Sequence, residues 1–96
     1  MGSGAKPDDA AAPPGNTRAP LDDTVALLRA RDWEAAHEIA QESTDPLAAW
    51  AHGIVHLIEG DESNARYWYE RAVRTFPGMD AIDAEIGALE RELAAR

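Results

Sequence analysis

The chain has 96 residues, a formal net charge of -9 at pH 7 and no cysteine. That length allows one domain with a small core, and the missing thiols exclude disulfides, thiolate nucleophiles, cysteine-bound zinc and iron–sulfur clusters. Charge sums to 0 over residues 1–20, -4 over 21–44, -2 over 45–78 and -3 over 79–96, so no segment is basic and nucleic acid is not an expected partner.

Residues 1–20 hold four of the six prolines, a run of alanines and no large apolar side chain after Met1. Such a stretch cannot bury enough surface to offset ordering, and it is expected to be a disordered tail ahead of a single domain over residues 21–96. No run reaches the roughly 18 apolar residues of a membrane span, and the N-terminus lacks the apolar core of a secretory signal. Membrane insertion is not expected, and cytoplasmic residence is.

Residues 21–31 read as a first helix, with Leu21, Val25 and Leu28 at helical spacing, aspartates in the first turn and arginines in the last. Residues 33–43 read as a second, shorter helix, and the tight joint at Arg31-Asp32 predicts an antiparallel pair. Asp45 followed by Pro46 is an N-cap with proline at the first helical position, so a third helix is predicted over 45–59, ended by Gly60-Asp61. A fourth is predicted over 63–76, with Ala65, Trp68, Tyr69, Ala72, Val73 and Phe76 on a core-facing arc, Tyr67, Arg71 and Arg74 opposite, and Ser63 or Asn64 as cap. Residues 80–95 carry Ile82, Ile86, Leu89 and Leu93 at intervals of four, three and four, a one-sided helix that closes the stack. The expected fold class is all-α, with five helices as two antiparallel hairpins and a capping helix.

Aligning residues 32–36 with 61–65 superposes the two hairpins at an offset of 29 residues, as a helical repeat would. Gly53, Ala65, Tyr69 and Pro77 stand in the register of the tetratricopeptide signature, with Gly60-Asp61 at the turn, so residues 45–78 resemble a tetratricopeptide hairpin. The departures are Ala49, His52 and His56, where that signature has Trp, Leu and Tyr; two core positions have become ionisable. The chain also resembles a group of short bacterial proteins in the string His37-Glu38, Gln41, His52, His56, Glu59-Gly60-Asp61, Asn64-Ala65, Tyr67-Trp68-Tyr69 and Arg71. That second resemblance marks residues and implies no activity.

His52, His56 and Glu59, spaced four and three, project from one stripe of a helix. Two histidines one turn apart can share a metal, and His37 is the remaining histidine, with Glu59 or Glu38 as oxygen donors. The leading reading of the imidazoles is structural, each satisfied by a carboxylate, a hydroxyl or a carbonyl. A polar ligand or catalytic pocket, and a metal site on His37, His52, His56 and Glu59, are the alternatives. At least one ring is expected to be buried and neutral, with Glu59 solvated at the helix end rather than paired. His37-Glu38-x-x-Gln41 has glutamine where a zinc-protease motif needs its second histidine. Tyr67 with Arg71 suits a carboxylate, though a solvated arginine is the simpler reading, and Trp68 with Tyr69 reads as packing.

With no complete catalytic set in the sequence, the leading functional expectation is a small non-enzymatic interaction module that binds a protein or peptide. The runner-up is a small enzyme or a ligand- or metal-binding protein using a pocket drawn from His37, His52, His56, Glu59, Tyr67, Trp68 and Arg71. No cofactor is assigned. A core this small also makes a second copy of the chain a natural source of added stability.

Overall fold

Five α-helices and no strand make up residues 19–95, the part of the chain that the computed structural model describes: α1 (Ala19–Arg29), α2 (Trp33–Gln41), α3 (Pro46–Glu59), α4 (Glu62–Arg71) and α5 (Ile82–Ala94). The all-α expectation holds. The expected tail lies outside the described residues except for its last two positions, which open α1; Pro20 sits in the first turn, where a missing N–H costs nothing.

Consecutive helices pack on one another from α1 to α4, and α5 returns to lie against α3 and α1. α3 touches all four others, which is why it is buried almost all round: Ala48 and every residue from Trp50 to Leu57 are buried. Its start is as the sequence dictates, with the Asp45 carboxylate accepting from the Leu47 N–H at 2.8 Å and Pro46 at the first position. Leu28 from α1, Ala36 and Ala40 from α2, Ala65 and Tyr69 from α4, and Ile86 and Leu89 from α5 close around Trp50, Ile54 and Val55.

Gly53 allows the closest of these approaches. A Cβ built there would stand 2.6 Å from the Tyr69 ring, so only glycine lets α4 lay its tyrosine on the α3 backbone. The Tyr69 hydroxyl then donates to Glu85 Oε1 at 2.7 Å, and the Trp50 indole N–H donates to the same oxygen at 2.9 Å. Arg74 covers the Trp50 ring from outside, its guanidinium carbon 3.4 Å from the centroid. Burial, and next the Glu85 carboxylate, raise the Tyr69 pKa far above its ordinary value, so the phenol stays protonated and donating.

Two expectations are corrected. α4 ends at Arg71 and not at residue 76. The Val73 N–H bonds to the Glu70 carbonyl and the Arg74 N–H to the Tyr69 carbonyl, a Schellman turn with Val73 in the left-handed region at φ 59. Val73, assigned to the core arc, is 89% exposed. The same turn ends α1 at Arg31 (φ 63) and α3 at Gly60 (φ 84). Nor is α4 capped by Ser63 or Asn64: Asp61 is its cap, accepting from the Asn64 N–H at 3.2 Å and from the Asn64 side chain at 2.7 Å, and these bonds lower the Asp61 pKa.

Candidate functional site

The site grows from the phase of three helices. On α2, Ala36 and Ala40 face α3, and their small size brings the neighbouring His37 close to that helix. On α3, His52 and His56 lie one turn apart on the side turned toward α2 and α4. On α4, Tyr69 seated on Gly53 holds the helix near enough for the adjacent Trp68 to cover His52.

The three imidazoles converge. His37 meets His52 edge-on with ring centroids 4.4 Å apart and lies 5.8 Å from His56, while His52 and His56 are 5.2 Å apart with their planes inclined by 24°. One ring nitrogen from each falls within 4.8 Å of the others. The other face of the group is closed by Trp68, whose indole stacks on His52 at 3.8 Å and 8°. Tyr67 stands edge-on to Trp68 at 5.3 Å, and the Arg71 guanidinium lies 5.4 Å from the Trp68 ring and 5.6 Å from the Tyr67 ring. Glu59, His56, His37, His52, Trp68, Tyr67 and Arg71 therefore form one connected chain of contacts.

Electrostatics separate the members. Glu59, expected to be solvated alone, instead pairs with His56, its Oε1 2.8 Å from Nδ1. A carboxylate can only accept, so Nδ1 carries the proton and the Nε2 lone pair of a neutral His56 is left for another partner. His52 follows the buried-neutral expectation: burial first, then the neighbouring His37 and His56, lower its pKa to about 4. It is 5% exposed, and among the described residues no hydrogen bond reaches either of its ring nitrogens. His37, half-buried, has none either. The structural reading of the imidazoles, in which every ring nitrogen is satisfied, fits His56 Nδ1 and does not fit His52.

No known protein family, curated protein or solved structure matches the chain.

Trp68 packs on His52, so its indole walls the histidine cluster and also lines a groove of about 390 Å³ beside it. Gln41, Thr44, Asp45, His52 and Arg71 also line this groove. Sequence spacing did not single out Thr44 or Asp45 for it, because the groove exists only where the α2–α3 turn passes α4. Glu38, offered as an oxygen donor, is exposed and outside the histidine group. Asp61 comes within ligand distance of His56 and Glu59, but its carboxylate is already bonded to Asn64 as the α4 cap.

Proposed function

We propose that this protein is a small helical module that binds a divalent transition metal through His37, His52 and His56. The observation that carries the reading is His52, a buried imidazole whose nitrogens have no hydrogen-bond partner among the described residues, set against two further imidazoles whose donor atoms lie within 4.8 Å. A buried polar group without a partner costs stability, about 1 to 3 kcal/mol, and a bound ion removes that cost.

Three features fit the ion. A metal takes neutral imidazole, and His52 is held neutral by its surroundings. Glu59 on Nδ1 of His56 leaves Nε2 for the ion, the arrangement that orients a ligating histidine and raises its basicity. A donor set of imidazoles without thiolate suits zinc, copper, nickel and cobalt, and does not suit calcium or magnesium. Tetrahedral bonds of about 2.0–2.1 Å place donor nitrogens about 3.3 Å apart, so the rings close by about 1.5 Å at most from their present separation.

This reading moves the runner-up expectation ahead of the interaction module. The tetratricopeptide-like stacking of the hairpins belongs to the same proposal, supported by the sequential packing of α1 to α4, by the close approach of Tyr69 to Gly53 and by the burial of Ala65. In a tetratricopeptide hairpin positions 52 and 56 serve the core; here they serve the ion.

The test is calorimetric titration of the metal-free chain with zinc. One equivalent should bind, His37→Gln and His52→Leu should each weaken binding at least tenfold, and Glu59→Ala should weaken it by about 10- to 100-fold, the usual effect of removing an orienting carboxylate. Binding unchanged in all three variants would place the ion elsewhere and overturn the reading.

A further inference from the structure

Three histidines leave one tetrahedral position for something that is not one of them. Among the described residues no fourth donor joins the group: Glu59 is engaged on the Nδ1 side of His56, and Glu38 lies outside. His52 and Trp68, however, belong both to the cluster and to the wall of the groove of about 390 Å³, a volume within the range of small-molecule sites. The groove's cation is Arg71. Arg29, Arg31, Arg66 and Arg74 each have a carboxylate within 4.0 Å, whereas among the described residues Arg71 meets the Tyr67 hydroxyl, at 3.5 Å, and the faces of Tyr67 and Trp68, and no carboxylate.

Resting on the metal reading above, we propose that the open coordination position takes one carboxylate oxygen of a small organic acid seated in this groove, with Arg71 as counter-charge. The acid displaces a metal-bound water, so one metal–oxygen bond breaks as another forms and no proton or electron is left over. Arg71 offers the planar pair of N–H donors that carboxylates accept, and Trp68 gives the acid's carbon skeleton an apolar wall. Asp45 also lines the groove, but its carboxylate accepts the Leu47 N–H as the cap of α3.

Charge makes the claim specific. The chain carries -9 overall, and Asp45 adds a negative group to the groove itself, so Arg71 without the metal faces a field that disfavours anions. Acid binding is therefore metal-dependent, and the occupant is a small acid, matched to a groove of about 390 Å³.

The experiment uses the full chain loaded with cobalt, whose visible bands report its ligands, titrated with benzoate and, in a separate arm, with an acetylated tetra-alanine ending in a free carboxylate. Benzoate should shift the bands saturably, the metal-free chain should not bind it, and Arg71→Gln at cobalt saturation should weaken it at least tenfold. Bands that stay unchanged with cobalt bound, or equal benzoate affinity in Arg71→Gln, would overturn this inference and leave the metal site standing. A response to the peptide alone would overturn the small-acid assignment. Failure of cobalt to bind, read before any acid is added, removes the metal reading itself and this inference with it.

Discussion

At His52 the proposed metal site is set against stability. Its folded pKa is about 4, below the unfolded value of about 6.5. Between those values the unfolded chain binds the extra proton, so stability of the metal-free protein should fall as pH drops from about 6.5 toward 4, with a slope of at most about 1.4 kcal/mol per pH unit from this group. Other groups titrate there too, so the check is chemical denaturation of the parent beside His52→Leu from pH 4 to 8. The difference between the two should shrink to a constant above pH 7, where the variant should match or exceed the parent by up to about 1 kcal/mol, having lost an unpartnered polar group. A parent curve parallel to that of His52→Leu would mean the ring is solvated. The two tyrosines of α4 separate in the same way. Tyr69, 1% exposed and bonded to Glu85, should cost about 3 kcal/mol or more as Tyr69→Ala, while Tyr67, 50% exposed, should cost less than about 1, both by denaturant melts.

At the scale of elements, starts were more legible than stops. Asp45-Pro46 names its helix from two residues, because capping is local chemistry. The end of α4 was not legible, since Val73 and Phe76 continue the apolar spacing past Arg71 and no glycine or proline interrupts until Pro77; the chain instead turns on a valine in a left-handed conformation. That conformation costs a β-branched residue about 1 to 2 kcal/mol, and Val73 is exposed, so Val73→Gly should raise stability by about 0.5–1 kcal/mol after the added freedom of the unfolded chain is counted. Gly53→Ala should do the opposite. Its gain in helix propensity, about 1 kcal/mol, is outweighed by the Tyr69 ring 2.6 Å from the new Cβ, and a net loss of about 1–3 kcal/mol is expected in a thermal melt. The His52–His56–Glu59 stripe was readable from spacing on one helix. His37 was named with it only as the remaining histidine, since its approach depends on the small alanines that set the α2–α3 distance, and the Trp50–Tyr69–Glu85 network, which joins three helices, was not legible.

For the whole molecule, the core is narrow and α5 is tied to it by buried Ile86 and Leu89 and by one carboxylate shared between Trp50 and Tyr69, with surface pairs from Arg29 to Glu90 and from Arg31 to Asp83 that contribute little. A metal bound only by the folded state adds stability as the logarithm of its concentration over Kd, about 2.7 kcal/mol at a free concentration 100 times Kd, so zinc should raise the melting temperature of the parent and raise that of His52→Leu by about half as much or less. The convergence of three imidazoles from α2 and α3 on one ion is the claim on which the rest depends. Zinc-edge X-ray absorption of the loaded chain tests it most directly: the account predicts three imidazole nitrogens and one further light atom at about 2.0–2.1 Å, and a shell of five or six oxygens without imidazole scattering would contradict it.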